Sequence, residues 1–187
     1  MDLVAGQELP LASARVTLGI GWDKERTAGA MGTGAPDVDL DATAVQFAGD
    51  QLFDLAFYNN LGTRDGSVVH LGDNLTGSGE GDDEQITVDL GRVHGPVDTI
   101  VLMVSSYHGH TLEWVNRAYC RISDESGAEL ARFRITGGVP QTGLVLATLK
   151  RVAAEQGSGW VMRAVGEGVA ITVPTQGLAK LRPYLAS

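Results

Sequence analysis

Ser67-Val68-Val69-His70-Leu71 is followed by Gly72-Asp73-Asn74-Leu75-Thr76-Gly77-Ser78-Gly79-Glu80-Gly81-Asp82-Asp83-Glu84 and then by Gln85-Ile86-Thr87-Val88-Asp89-Leu90. The flanks are short, rich in β-branched residues and partly alternating, which is how strands read. Five acidic residues and four glycines fill the 13 positions between them. Glycine weakens helix and strand alike, so this stretch is a turn-rich loop.

The same pattern extends outward in both directions. Strand-like runs occur at Ala14 to Ile20, Ala42 to Phe47, Leu52 to Tyr58, Thr99 to Ser105, Tyr119 to Ser123, Glu129 to Ile135 and Trp160 to Val165. Each is bounded by Gly, Asn, Asp or Pro, and the 25 glycines punctuate the chain instead of gathering in a linker. Evenly spaced short strands point to an all-β fold, a sandwich or a barrel, over an α/β architecture with longer helices. Asp65-Gly66 and Ser126-Gly127 suit hairpin turns. Helix is scarce: Thr111 to Asn116 could form a short one, and Gln176 to Leu185 a terminal one that Pro183 ends or kinks. Gln141 to Gln156 is ambiguous, because Leu144, Leu146, Leu149 and Val152 suit a strand or a modestly amphipathic helix. Neither an internal repeat nor a composition break appears, so residues 1–187 are expected to form one domain.

Charge is distributed unevenly. The chain carries 14 Lys and Arg against 23 Asp and Glu, a formal net of −9. Between Thr27 and Gly91 stand 12 acidic residues and one basic residue, Arg64, so that one third of the chain holds −11 while the rest holds +2. An acidic balance argues against nucleic acid or an anionic membrane surface as partner. The longest strongly apolar run, Ile100 to Val104, is far shorter than a membrane span, so no membrane insertion is expected. Met1 to Leu9 lacks an apolar signal core, and Cys120 stands alone; both fit a reducing cytoplasm. Cys120 is expected to be a small buried hydrophobe.

A second acidic segment complements the first. In Asp37-Val38-Asp39-Leu40-Asp41, three carboxylates recur at every second position, which on a strand places them on one face. Crowded carboxylates repel, and a bound cation removes that cost. Carboxylates, an Asn and carbonyl oxygens exposed by sharp turns are the donors of a hard cation, Ca²⁺ before Mg²⁺. Cys and His are absent from both segments, which disfavours zinc there. An EF-hand does not fit: from Asp37 the required Gly and Glu are Ala42 and Ala48, and from Asp73 two ligand positions fall on Leu75 and Gly77. A phosphate-binding loop would need a Lys and a positive field. Solvated charge alone is the plainer alternative for either segment taken singly.

Taken in order, Gly19-Ile20-Gly21-Trp22-Asp23, Asp39-Leu40-Asp41-Ala42, Phe57-Tyr58-Asn59-Asn60, Asp65-Gly66-Ser67-Val68 to His70, and Gly72-Asp73-Asn74 through Thr76-Gly77 to Gly81-Asp82-Asp83-Glu84 resemble the TerD family of tellurium-resistance and stress proteins. Val97-Asp98 with Ile100, Ala131-Arg132-Phe133 and Arg163-Ala164-Val165-Gly166 extend the likeness, which covers about residues 1–168. The resemblance implies a bacterial cytoplasmic two-sheet β-sandwich, with one or two short helices, binding two Ca²⁺ ions through acidic loops. It implies Asp37, Asp39, Asp41, Asp73, Asp82, Asp83 and Glu84 as side-chain ligands. Asn74 and the carbonyls near Thr76, Gly79 and Gly81 would assist, with Asp23 and Asn59 as ligands or supporting groups. Two such ions would take the net charge from −9 to −5.

The expected role is non-catalytic: calcium-dependent binding of other tellurium-resistance proteins, including membrane-associated ones, in tellurite resistance and general stress response. The competing expectation is a Mg²⁺- or Mn²⁺-dependent phosphoester hydrolase using the same carboxylates, which would have only Arg64 near the site to hold an anion. Residues 169–187 depart from the family pattern, so their packing is open. His108-Gly109-His110 lacks a third ligand at a recognisable offset and reads as a loop. Ser105 and Ser106 near His108 do not form a catalytic pair, because neighbours on a strand face opposite sides. Trp22, Trp114 and Trp160 read as packing residues.

Overall fold

A computed structural model describes residues 4–22, 39–72, 81–115, 118–135, 139–153 and 158–186. Its strands are β1 (Glu8–Leu11), β2 (Arg15–Gly21), β3 (Leu40–Ala48), β4 (Gln51–Ala56), β5 (Val68–His70), β6 (Glu84–Asp89), β7 (Thr99–Ser106), β8 (Ala118–Asp124), β9 (Glu129–Ile135), β10 (Gly143–Arg151) and β11 (Trp160–Val169). One sheet has the order β1-β11-β10-β7-β3-β4 and the other β5-β6-β2-β8-β9, with every neighbouring pair antiparallel. The expected two-sheet sandwich is therefore what forms.

Alternation along the strands builds the core between the sheets. Leu18 and Ile20 of β2, Ile86 and Val88 of β6, and Leu40, Ala42 and Ala44 of β3 point into it. Each fully buried Leu or Ile contributes about 1.5–3 kcal/mol to that assembly.

The ambiguous Gln141 to Gln156 segment holds strand β10. Its first seven residues are all buried, because both faces of the six-stranded sheet are covered. On the outer side Val45, Phe47, Val101, Met103 and Val145 form a second cluster with Val165, Val169, Ile171 and Leu181. The divergent C-terminal segment supplies that cover. A single helical turn α1 (Pro174–Gly177) passes into a 3-10 stretch, Leu178–Tyr184, which contains Pro183. Neither piece is long enough to be stable alone, so packing holds them. Lys150 Nζ also donates to the carbonyls of Leu185 and Ala186, at 3.2 and 2.9 Å. Thr111 to Asn116 contributes one 3-10 turn, Leu112–Trp114.

Ser126-Gly127 closes the β8–β9 hairpin as expected, with Gly127 at φ 83°. Asp65-Gly66 also closes a hairpin. Its first arm is Leu61 to Thr63, which bonds to Val68 and His70, whereas β4 ends at Ala56 in the opposite sheet.

Candidate functional site

Strand register brings the two acidic segments to one end of the sandwich. Asp41 lies opposite Ser105, Leu40 opposite Ser106, and Ile20 opposite Glu84. The starts of β3 and β6 thus meet the ends of β2 and β7. Glu84 shares the inward face of β6 with Ile86 and Val88, and its side chain is fully buried. Its Oε2 accepts the Ala42 N–H at 2.7 Å, from the other sheet. That N–H is accessible because β4 pairs with β3 only from Ala44 onward. One carboxylate therefore ties the glycine-rich acidic segment to the residue directly after Asp41.

His70 completes the inner wall. Val68 and His70 of β5 are buried while Val69 is 40% exposed, which is period-two alternation. The Gly72 N–H donates to His70 Nδ1 at 3.1 Å, so the proton of the neutral ring sits on Nε2. That nitrogen lies 3.6 Å from Glu84 Oε2.

Asp83 continues the β2 edge. Its N–H donates to the Ile20 carbonyl at 2.6 Å, and its Oδ2 accepts the Trp22 N–H at 2.9 Å. On β3, Leu40 and Ala42 fill the core, so Asp39 and Asp41 share the opposite face. Asp41 is 2% exposed, and the Asp39 carbonyl accepts the Tyr107 N–H at 3.0 Å. Tyr58 and Tyr107 stack edge to face there, with centroids 5.2 Å apart. Burial pushes the Tyr58 phenol up, and the Asp41 carboxylate and Tyr107 add to that. Asn59 is exposed at the tip of the Phe57–Asn60 turn, whereas Asn60 Nδ2 donates to the Leu55 carbonyl at 2.6 Å.

Asp82 takes a different direction. It lies over Gly19, where a Cβ would fall 2.0 Å from Asp82 Oδ2; only glycine leaves that seat open. Since Leu18 and Ile20 face the core, Gly19 marks the outer face of the five-stranded sheet. There Arg121 Nε donates to Asp82 Oδ1 at 2.8 Å and Arg121 Nη2 to Oδ2 at 3.0 Å. Gln85 Nε2 donates to Oδ2 at 3.0 Å. The Tyr119 hydroxyl is 2.9 Å from the Gly81 carbonyl and 3.1 Å from Asp82 Oδ1, with one proton for the two. The hydrogen bond that Arg121 donates to Asp82 raises the Arg121 pKa, and burial, then Asp82, raises the Tyr119 phenol. Gly81, at φ 121°, makes the turn that swings Asp82 outward.

Asp39, Asp41, Asp83 and Glu84 are thus brought to one end, while Asp82 points away and Asn59 stays at a loop tip. Asp23, Asp37, Asp73, Asn74, Thr76 and Gly79 lie outside the described residues. Among the described residues, no three Asp, Glu, His or Cys side chains form a metal-holding group. The chemistry of the donor set is nonetheless that of a hard cation: four carboxylates, with nearby hydroxyls. Ser105 Oγ, directly opposite Asp41, and Thr43 Oγ1 are buried without a hydrogen-bond partner among the described residues. Sequence reasoning missed His70, Tyr119 and Arg121. The alternation of Val68 and His70 carried a signal for the first; the others become visible only through the β2–β8 pairing.

Other candidates recede. Cys120 is fully buried, and burial, with Asp82 nearby, pushes its thiol up. His108 and His110 sit on a turn with ring centroids 6.3 Å apart. Arg64 is engaged by Asp54, to which its Nε and backbone N–H donate at 3.1 and 2.8 Å.

The sequence matches the TerD domain over residues 1–181, beyond residue 168, where the resemblance was expected to end. It is 36% identical to the tellurium resistance protein TerZ of Serratia marcescens over 89% of each chain. Identity to the stress response protein SCP2 of Bacillus subtilis (strain 168) is 33%, over 90% of this chain and 92% of that one. To the tellurium resistance protein TerD of Serratia marcescens it is 37%, over 83% and 81%. The crystal structure of a telluride resistance protein (TerD) homologue from Streptomyces coelicolor A3(2) superposes with a TM-score of 0.72 at 19% identity, over 89% and 95% of the two chains. At that identity the likeness speaks to the fold alone.

Proposed function

The chain belongs to the TerD family, and from that premise we propose that it is a non-catalytic Ca²⁺-binding protein of bacterial tellurite resistance and general stress response. The observation that carries this reading is the Glu84 carboxylate, buried and bonded across the sandwich to Ala42 N–H at 2.7 Å. It joins both acidic segments at one end of the sandwich, where Asp41 lies opposite Ser105. Relatives named for tellurium resistance and stress response support the biological setting.

In this reading Asp39, Asp41, Asp83 and Glu84 hold calcium together with Asp37, Asp73, Asn74 and carbonyls near Thr76, Gly79 and Gly81. Calcium supplies positive charge and a demand for six to eight oxygens, which would draw the two acidic segments together. Asp83 orients its carboxylate through Trp22 N–H, and Glu84 through Ala42 N–H. The surface ordered in this way binds partner proteins of the tellurium-resistance system, some of them membrane-associated, from the cytoplasm. No helix among the described residues is long and apolar enough to cross a membrane.

The metal-dependent hydrolase reading has less support, because the Arg64 guanidinium is already committed to Asp54 and the Phe53 carbonyl. Calorimetric titration of chelator-stripped protein tests the proposal. Saturable calcium uptake below millimolar concentration is expected, and its absence would sink the reading.

A further inference from the structure

The geometry points to a division of labour within Asp82-Asp83-Glu84. Asp82 is an anchor and not an ion ligand, and Arg121 and Tyr119 are positioning residues that set cation affinity from the outer face of the five-stranded sheet. This rests on the calcium reading above and deepens it.

Three observations carry the assignment. First, both Asp82 oxygens are occupied. Arg121 takes them with a two-pronged fork, and Gln85 adds a donor to Oδ2. The carboxylate is 2% exposed, and its charge is met by a guanidinium that would repel any cation arriving there. Second, Asp82 and Glu84 leave the chain on opposite sides of the sheet. Asp82 sits over the outer face at Gly19, whereas Glu84 reaches inward to Ala42. An ion bound at Glu84 would lie on the inward side, away from the Arg121 fork that holds Asp82. Third, residues 81–84 are fastened one after another to different elements. The Gly81 carbonyl is held by Tyr119, Asp82 by Arg121, Asp83 by Ile20 and Trp22, and Glu84 by Ala42. With the clamp released, Asp83 and Glu84 would lose their fixed approach to the site.

The fork explains why arginine occupies position 121. A lysine would keep the charge but not the two parallel bonds. Outer partners that orient metal ligands typically change affinity by about 10–100-fold, although they never touch the ion.

The test is calcium titration by calorimetry of wild type, Arg121→Lys, Tyr119→Phe, Asp82→Asn and the Arg121→Lys/Asp82→Asn double variant. Circular dichroism in chelator checks that each is folded, and Tyr119→Phe, losing one hydroxyl, is the variant least able to unfold the chain. Arg121→Lys and Asp82→Asn should each weaken calcium by about tenfold, Tyr119→Phe by less, and the double variant no more than either single change. In wild type the Arg121 Nε–H resonance should keep its position as calcium saturates the protein, because the ion pair persists. If Asp82 were a ligand, Arg121 would compete with the ion for its carboxylate. Arg121→Lys would then leave binding unchanged or tighter, Asp82→Asn alone would be severe, and the Nε–H resonance would move; any of these overturns the clamp. Calcium uptake that is normal in wild type and insensitive to position 121 sinks the clamp alone, whereas no uptake by wild type sinks the calcium reading with it.

Discussion

The turn at Asp65 and the acidic end of the sandwich solve one electrostatic problem in two ways. Asp65 is surrounded by the chain's own donors: the Thr63 hydroxyl at 2.7 Å, the Ser67 N–H and hydroxyl at 3.0 and 2.8 Å, and the His94 N–H at 3.0 Å. Gln46 Nε2 adds a weaker contact at 3.3 Å. Partial burial would raise this carboxyl, but the hydrogen bonds outweigh it and hold the pKa at about 2. At the acidic end strand register gathers Asp39, Asp41, Asp83 and Glu84, and the account proposed above places calcium there. The contrast is between a carboxylate whose charge is met by hydrogen bonds from its own turn and an end of the sandwich where a bound cation is proposed to contribute.

Calcium removal should break this symmetry most strongly. At a hundredfold excess over its dissociation constant, an ion bound only by the folded state stabilises by about 2.7 kcal/mol. For a chain of this size that is about 5 to 10 °C in melting temperature. Scanning calorimetry with calcium and with chelator should show this difference in wild type and in Asp65→Asn. Asp39→Asn and Asp83→Asn should lose it while melting like wild type in chelator.

Acid should act first on the other region. Asp65 has a folded pKa of about 2 against an ordinary 3.8. Its contribution is therefore full above pH 3.8 and disappears as pH falls toward 2. Allowing for its partial exposure, the amount is about 1.5 kcal/mol. Urea unfolding between pH 5 and pH 2, with chelator throughout, should show a steeper acid loss in wild type than in Asp65→Asn.

Smaller effects sharpen the contrast. Glu84→Gln keeps an acceptor for the Ala42 N–H, so in chelator it should change unfolding free energy by about 1 kcal/mol or less, yet lose the calcium increment. Arg64→Ala removes a pair whose guanidinium side chain is 73% exposed. Equilibrium unfolding should register a change of about 0.5 kcal/mol or less, with or without calcium.

Most strands were legible because β-branched runs bounded by Gly and Asp are local signals. The strand β1 was not; it is four residues long and contains Pro10. The strand β10 was ambiguous because a run buried on both faces loses its alternation. What buries its outer face is Leu181 and its neighbours, some 30 residues away in sequence, and no local pattern announces that return. The acidic end was legible as a concentration of charge, and the alternation of Asp39 and Asp41 about Leu40 holds in the fold. The direction of Asp82 was not. Strict alternation would put it on the same side as Glu84, but the turn at Gly81 and the bonds of Asp83 to β2 break the period. Its partner Arg121 arrives through the pairing of β8 with β2, which is a tertiary fact.

The central claim is that calcium sits where the two sheets meet, between the Asp39–Asp41 segment and Glu84. Anomalous difference density from crystals grown with calcium tests it most directly. The account predicts peaks within coordination distance of Asp41, Asp83 or Glu84 oxygens and none at Asp82, which should remain paired with Arg121. Ordered crystals in saturating calcium with no peak at that end, or with a peak on Asp82, would contradict it.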